Sequence, residues 1–530
     1  MEALEKKKEE KKYGDKKEKF EAWLQDKYNL GLLGIILLSI VFRLYYFFIT
    51  KNQAHWWDTL AYGGLAKQMI SGMWSYSEFL SHEAIIRPPL LPFVWSLLLR
   101  INIPDVGTIF LLEIIPSVLS VFFIFLIAKE LYNKKVALIS SFILSILWIH
   151  LFYSMRIMTD VPALFFCIMS FYFFVKSYKD FNLTFFSIAI FSIALSILLR
   201  YNYGIIGALY ILIILVHHKH RFVSKKNFWI GGIIGFIPII LFFVYNLIIF
   251  SSIFPAGGVY SASAENQASF AFYTIDHIGY ILSPSISNTP YIKFSPISFN
   301  PLSVGLIINS LFIFFIIGFF IALVELVIGF DSLNKINKLK SHFLLLLILI
   351  ASLIFFIFII KAAEDRYLFL CLIPIIILCS IGLVWVYELI KKHNKIVATV
   401  IIIFILITAL YSQTIFGNAL IKSKVSSYAE MKEAFLWIKD NTQENAVILG
   451  EGTDPYAIFY SERNIANWNL TNLEDSFSKA DYIVLHGFEH QTQETLNFIN
   501  NNSDRIIPER IIPFQNTNNQ IAVGIYRVKK

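Results

Sequence analysis

A polar stretch from Lys51 to Pro92 carries the first residues that could do chemistry. Asp58 follows Trp56 and Trp57, and Arg87 precedes two prolines. A carboxylate packed among aromatic rings is partly removed from water, which is expected to raise its pKa and make it a better base for a hydroxyl or amine. Arginine offers phosphate two parallel N–H donors. The stretch therefore predicts a base beside a phosphate-binding cation.

Simpler interpretations of the same residues stay open. Asp58 also fits the N-cap of a helix running to Met69, and Asp160, two residues before Pro162, fits another. Arg87 fits an interfacial arginine whose charged head reaches toward water. Neither interpretation excludes chemistry at the same side chain.

Further ionisable residues follow the same pattern at the ends of apolar segments. Such residues are costly to hold at a membrane and are functional candidates. One acid near several arginines at one membrane depth would suit a phospholipid-like substrate, with cations for the phosphate and a base for the acceptor. The candidates beyond Asp58 and Arg87 are Tyr62, Arg156, Asp160, Arg200, Tyr201, Asn202, Arg366 and Tyr367.

A divalent cation such as Mg²⁺ or Mn²⁺ is an alternative occupant of this region. Carboxylate and imidazole groups suit several divalent ions. The candidate ligands are His55, Asp58, His82 and Glu83. No ligand-spacing rule supports the set, so no metal ligand is assigned.

Composition identifies the protein class. Of 530 residues, 57% are hydrophobic and only 15% are charged. Repeated apolar runs of about 18 or more residues are typical of membrane helices, so we predict a polytopic α-helical membrane protein. The lysines lie mostly in short loops, so the net charge of +8 indicates membrane orientation and no nucleic-acid partner. Cys167, Cys371 and Cys379 lie in apolar stretches, which predicts packing and no disulfides.

The hydropathy pattern predicts about eleven transmembrane helices. The apolar segment 88–101 is too short to cross and is expected to lie in the interface or to be re-entrant. With that choice every lysine-dense short loop falls on one face with the N-terminus, and the positive-inside rule makes this face cytoplasmic. The predicted spans are 30–50, 108–129, 136–154, 160–178, 182–199, 203–217, 228–250, 303–329, 342–361, 367–390 and 396–416.

Three regions follow from this topology. Residues 1–28 form a charged cytoplasmic tail, residues 29–416 a transmembrane domain, and residues 417–530 a small extracytoplasmic α/β domain. The transmembrane domain includes a first outer loop, 51–107, and a long outer loop, 251–302, which is either an ordered lid or unstructured. In the last region we predict a helix at 428–441 and strands at 446–450, 481–487, 506–512 and 520–528.

The order of these motifs resembles the GT-C superfamily of membrane glycosyltransferases, and specifically the protein O-mannosyltransferase and aminoarabinose-transferase group. The resemblance covers about 30–416 and is strongest in 51–205. Thr59 is a departure, because many relatives carry a second acid close to the first, which leaves Glu78 or Glu83 as candidates. The matching elements are Asp58 with Tyr62 and Ala66, Arg87-Pro88-Pro89, Arg156 with Asp160 and Pro162, Arg200-Tyr201-Asn202, and Arg366-Tyr367-Leu368 with Pro374.

This resemblance implies transfer of a sugar from a polyprenyl-phosphate or dolichyl-phosphate donor at the outer face of the cell membrane. The acceptor would be a protein, a lipid or a glycan. Asp58 would be the general base or orient the acceptor, Arg87 and Arg366 would contact the lipid phosphate, and Asp160 would shape the site. A transporter or flippase for a lipid-linked saccharide is the main alternative, although the spans show no clear repeat and few charges beyond Arg43 and Glu325. A non-catalytic receptor is a third.

Overall fold

The computed structural model describes the helical bundle and a C-terminal sheet domain. The residues it describes are 21, 23–71, 78–255, 277–284, 311–333, 336–360, 365–466, 468, 473–488, 492–515 and 520–529. Most of the predicted tail 1–28 and most of the predicted outer loop 251–302 therefore lie outside the described residues.

Nine helices among the described residues are long and apolar enough to cross a membrane. The chain is therefore a multi-pass membrane protein, as predicted. These helices are α1 (Lys27–Thr50), α5 (Asp105–Leu131), α8 (Asp160–Ser177), α10 (Tyr201–Ser224), α11 (Lys226–Phe250), α12 (Leu311–Ile328), α13 (Asn337–Phe358), α14 (Arg366–Lys391) and α15 (Lys395–Ser423).

Two further predicted spans are shorter in the structure. Helix α9 is apolar but has only 17 residues (Leu183–Leu199). The predicted continuous span 136–154 is wrong, because Leu147 is extended and divides it into α6 (Lys134–Ile146) and α7 (Trp148–Tyr153). The Trp148 N–H donates to Gln413 Oε1 at 2.9 Å. Backbone donors freed within a bilayer need such partners, so the break is stabilised by α15.

Three short helices separate α1 from α5. They are α2 (Trp57–Ser71), α3 (Glu78–Ile86) and α4 (Leu90–Arg100). At about 1.5 Å per residue the 11 residues of α4 reach roughly half the hydrocarbon thickness of a bilayer. This length fits the prediction that 88–101 does not cross.

The C-terminal part is a small α/β domain, as predicted. Its five strands lie in the order β2-β1-β3-β5-β4, parallel across β2, β1 and β3 and antiparallel across β3, β5 and β4. Sequence reasoning missed the short β2 and the helical turns before it. The elements are α16 (Ala429–Asn441), β1 (Val447–Leu449), α17 (Asp454–Tyr456), which continues as a π-turn Ala457–Ser461, β2 (Asn464–Ile465), α18 (Leu473–Lys479), β3 (Tyr482–His486), α19 (Gln493–Asn501), β4 (Ile506–Pro513) and β5 (Ile521–Val528).

Helix α2 joins the bundle to the sheet domain. The π-turn after α17 packs on it, with Phe459 against Gly63 and its carbonyl accepting from Lys67 Nζ at 2.8 Å. A Cβ on Gly63 would lie only 2.3 Å from the Phe459 ring, so this contact requires glycine. Helix α2 and the sheet domain are therefore packed tightly together.

We predict that Gly63→Ala loosens this contact. Overpacking a close contact costs about 1–3 kcal/mol, which outweighs the roughly 1 kcal/mol that alanine gains over glycine in a helix. Thermal unfolding of the purified protein should show a lower midpoint, and Phe459→Leu should partly restore it. Gly34→Ala is the matched control, because nothing lies within 4 Å of a Cβ there. An unchanged midpoint in Gly63→Ala would contradict the prediction.

Candidate active site between the bundle and the sheet domain

The Arg87 side chain is held by a residue of the helix that immediately precedes it. It follows the last residue of α3, and its Nε contacts the Glu83 carboxylate one turn earlier. Its guanidinium also lies 4.8 Å from the centre of the Tyr62 ring. Burial alone would lower the pKa of Arg87, but Tyr62, Asp58 and Glu83 raise it above its usual value, so the group stays charged.

Asp58 connects two arginines from distant parts of the chain. It lies in the first turn of α2, where the helix dipole favours negative charge. Its Oδ1 accepts from Arg87 Nη2 at 2.9 Å, and its Oδ2 accepts from Arg366 Nη1 at the start of α14. The three side chains are mostly buried and form a charged cluster at one end of the bundle.

The expectation of a raised pKa at Asp58 is wrong. Burial does favour the protonated form, but the guanidinium groups of Arg366 and Arg87 outweigh it and hold the pKa of Asp58 well below its usual value. The sequence showed the aromatic surroundings and predicted arginines nearby, but not that two of them contact the Asp58 carboxylate directly. Asp58 is therefore a carboxylate at all physiological pH values in this structure.

A second ion pair lies beside the first. Arg200 Nη1 contacts Asp160 Oδ1, and Asp160 is fully buried. The Tyr367 ring lies between the two pairs, 5.2 Å from the Arg200 guanidinium and 5.8 Å from that of Arg366. Asp160 is the first residue of α8 and Thr159 holds the N-cap position, so the cap predicted for Asp160 is wrong by one residue.

The remaining predicted residues surround these pairs. Tyr201 donates through its hydroxyl to the Arg87 carbonyl at 3.4 Å. The Arg156 guanidinium lies between the rings of Trp56 and Phe152, 4.2 Å from each centre. Asn202 Oδ1 is buried and has no hydrogen-bond partner among the described residues.

Sequence analysis did not predict a role for Glu113, which accepts a hydrogen bond from the backbone of the Arg156–Asp160 turn. Glu113 is fully buried in a π-turn of α5 (Phe110–Ile114), and its Oε1 accepts from the Met158 N–H at 2.8 Å. It lies close enough to Asp160 for their charges to interact. An acid inside an apolar span was the available signal, and π-turns often occur at functional sites.

Two other residues make contacts within the site that sequence analysis did not predict. Glu83, one of the two candidates for a second acid, contacts Arg87 directly, whereas the side chain of the other candidate, Glu78, lies outside the described part of the structure. Thr59, which stands where relatives carry an acid, donates to the Ile157 carbonyl at 2.9 Å and so ties α2 to the Arg156–Asp160 turn.

The candidate metal ligands pair with other groups. His55 Nε2 lies 2.9 Å from Asp105 Oδ2, and Asp58 and Glu83 both contact Arg87. In the part of the chain that the structure describes, no three His, Cys, Asp or Glu side chains are placed to hold one ion. These residues do not fit a metal site, so no reaction step is assigned to a metal, and dependence on Mg²⁺ or Mn²⁺ stays an untested prediction.

We predict that Asp58 stabilises the fold by an amount that falls with acidification. Its lowered pKa means that the stabilisation is complete above the unfolded value of 3.8 and is lost as pH falls through the folded value. At pH 7, Asp58→Asn should cost about 3 kcal/mol, because two buried arginines lose their counterion.

Thermal unfolding of wild type and Asp58→Asn between pH 7 and 3.5 measures this difference. The gap in midpoints should be constant above about pH 5 and should narrow below pH 4. Asp475→Asn removes an exposed carboxylate paired with Lys479 and serves as the control. A gap that widens on acidification would contradict the assigned ion pairs.

Comparison with known proteins identifies the fold. The sequence profile of the dolichyl-phosphate-mannose-protein mannosyltransferase family matches residues 86–245. A search of curated proteins finds no match. Two solved structures share the fold of this chain, which confirms the predicted GT-C architecture. The archaeal oligosaccharyltransferase AglB from Archaeoglobus fulgidus, in complex with an inhibitory peptide and a dolichol-phosphate, has a TM-score of 0.59 at 12% identity over 88% of this chain and 70% of the other.

The second structure is ArnT from Cupriavidus metallidurans bound to undecaprenyl phosphate. It has a TM-score of 0.62 at 10% identity over 93% of this chain and 97% of the other. At such low identities the TM-scores establish a shared fold only. The covered lengths include both the bundle and the sheet domain. The protein therefore has the GT-C fold, and its segment 86–245 resembles the dolichyl-phosphate-mannose-protein mannosyltransferase family.

Proposed function

We propose that this protein is a glycosyltransferase that moves a sugar from a polyprenyl-phosphate or dolichyl-phosphate donor to an acceptor. The observation that carries the proposal is the bridge from Asp58 to Arg87 and Arg366. It joins one carboxylate and two guanidinium groups in a single cluster. The family profile over 86–245 and the lipid phosphates bound by AglB and ArnT support the same donor class.

The charges of the cluster favour an incoming phosphate. The charges of Arg87 and Arg366 are balanced by Asp58 and Glu83. A donor phosphodiester would compete with Asp58 for the two guanidinium groups, since arginine binds phosphate oxygens through two N–H donors. The product phosphate carries more negative charge than the donor, so the arginines stabilise the leaving group most strongly as the bond breaks.

The reaction is a direct displacement. The acceptor hydroxyl or amine attacks the anomeric carbon, a new bond forms there, and the bond between that carbon and the phosphate oxygen breaks. The electron pair of that bond leaves with the lipid phosphate, and the acceptor proton passes to Asp58. One displacement inverts the anomeric configuration.

The low pKa of Asp58 depends on its contacts with Arg366 and Arg87. When a phosphate takes over the guanidinium donors, Asp58 loses its two stabilising partners, and a second anion stands close by. Both changes raise its pKa and make it a stronger base only when donor is present. This coupling reconciles the ionised carboxylate of the free protein with a role in proton transfer.

The proposed active site faces the extracytoplasmic side, with the N-terminus in the cytoplasm. The lysine-rich loops support this orientation, because they alternate with the segments that carry Asp58, Arg156, Arg200 and Arg366. The acceptor would then be an envelope protein, a lipid or a glycan. The family profile makes a mannosyl donor the first to test.

We predict that Asp58→Asn separates donor binding from transfer. In proteoliposomes with labelled dolichyl-phosphate mannose or undecaprenyl-phosphate sugars, kcat should fall about 10²–10⁴-fold, as for loss of a general base. Affinity for the lipid phosphate alone should be unchanged or higher, because the arginines lose their competing carboxylate. Arg366→Gln should instead weaken lipid-phosphate binding.

Asp475→Asn and Arg510→Gln remove exposed charges of the sheet domain and are the matched controls. Transfer at the wild-type rate by Asp58→Asn at normal expression would refute the role of Asp58. Movement of the labelled lipid between leaflets without any transfer would favour the flippase alternative.

A further inference from the structure

Glu113 holds the turn 154–159, which connects α7 to α8, from the side of α5. Its Oε1 accepts from the Met158 N–H at 2.8 Å, and the side chain is fully buried. The local cause is Pro116, because proline has no N–H and its ring displaces the carbonyl one turn earlier. The helix before Pro116 therefore widens into the π-turn that contains Glu113.

Helix α2 and the segment before it hold the same turn. Thr59 Oγ1 donates to the Ile157 carbonyl at 2.9 Å, and Gln53 Nε2 donates to the Met155 carbonyl at 2.6 Å. Buried backbone groups without a partner are costly, above all within a membrane, so these side chains determine where the turn lies. Thr59 follows Asp58 directly, and a shift of the turn is therefore transmitted to the proposed base.

The turn also positions two charged side chains of the site. Arg156 lies within it, with its guanidinium between two aromatic rings. Asp160 begins α8 directly after it and pairs with Arg200. A hydrogen bond that fixes the turn therefore fixes the ion pair that lies beside the proposed base.

Glu113 has no cation to balance a negative charge. In the described part of the chain no Lys, Arg or His side chain pairs with it, and its Oε2 is buried without a hydrogen-bond partner. The charge that does act on it is that of Asp160, which is itself paired with Arg200. An isolated carboxylate inside an apolar span costs far more than a neutral acid. Glu113 therefore carries a proton on Oε2, while Oε1 remains the acceptor.

We propose that Glu113 is a positioning residue of the active site, a neutral carboxylic acid whose Oε1 fixes the turn 154–159 and, through Thr59, the place of Asp58. The positioning role rests on the proposed function, whereas the protonation of Glu113 does not. The geometry requires an acceptor oxygen and no charge. Glutamine should therefore replace this glutamate, and a side chain without an acceptor oxygen should not.

Transfer kinetics in proteoliposomes separate positioning from stability. Glu113→Gln should keep kcat near the wild-type value. Glu113→Met has a similar length but no acceptor oxygen, and it should lower kcat about 10–100-fold, as expected when catalytic groups are displaced. Affinity for the lipid phosphate alone should not fall in either variant, because Arg87 and Arg366 lie outside the turn.

A double variant tests whether Glu113 and Thr59 act on the same turn. Thr59→Val should also lower kcat, and its combination with Glu113→Met should cost less than the sum of the two effects on the activation free energy, because each change alone already releases the turn. Fully additive effects would overturn the proposed route through Thr59.

Ser341→Ala is the matched control within the bundle. It removes a buried side-chain hydrogen bond to the Leu131 carbonyl, 2.9 Å long, at the other end of α5. It should lower the thermal midpoint and leave kcat unchanged. A Glu113→Met protein that behaves in this way would overturn the positioning role. Equal losses of kcat in Glu113→Gln and Glu113→Met would overturn the neutral acid.

Infrared spectroscopy tests the proton on Glu113 without any transfer. At neutral pH the wild-type protein in nanodiscs should show the C=O stretch of a protonated carboxylic acid that disappears in Glu113→Gln. Asp475→Asn removes an exposed carboxylate and should leave this band in place. A band that is the same in wild type and Glu113→Gln would mean that Glu113 is ionised. If the wild type transfers none of the lipid-linked sugars, the proposed function and the positioning role fail together, and the infrared band still decides the protonation of Glu113.

Discussion

The cluster of Asp58, Arg87 and Arg366 depends on contacts between parts of the chain that are far apart. Asp58 lies 29 residues from Arg87 and 308 from Arg366. Two guanidinium groups this close would repel each other in a partly buried site, so the carboxylate between them makes the arrangement possible. The contact requires that α14 and α2 begin at the same side of the membrane and at the same depth. The short α4 allows this, because with 11 residues it does not add a membrane crossing between them. The fold therefore brings one anion to two cations.

The neighbouring groups extend the same principle. Glu83 contacts Arg87, Asp160 contacts Arg200 and Asp58 contacts Arg366, so these three arginines each have a carboxylate partner. Tyr367 separates the two pairs and offers its ring face to both Arg200 and Arg366. Such alternation keeps the cluster close to neutral. A phosphate ligand therefore exchanges one counterion for another and avoids the cost of uncompensated buried charge.

Sequence analysis predicted the candidate site residues more accurately than the contacts between them. Apolar periodicity and lysine placement were enough for the bundle, for the short α4 and for the α/β tail, because these depend on local pattern and on bilayer thickness. The break at Leu147 was not predictable, since it depends on a hydrogen bond from Trp148 to Gln413 in a distant helix. The direction of the pKa shift of Asp58 was predicted wrongly for the same reason. Its aromatic neighbours are local in sequence, whereas Arg366 is not.

Helix α2 links the charged cluster to the sheet domain because its two faces serve different partners. Asp58 and Tyr62, four residues apart, meet Arg87, while Gly63 and Lys67, also four apart, meet Phe459. A rigid helix of 15 residues cannot shift on one face without moving the other. A shift of the sheet domain against Gly63 must therefore also move Asp58 relative to its arginines. The position of the sheet domain and phosphate binding at the arginines are thus expected to be energetically coupled.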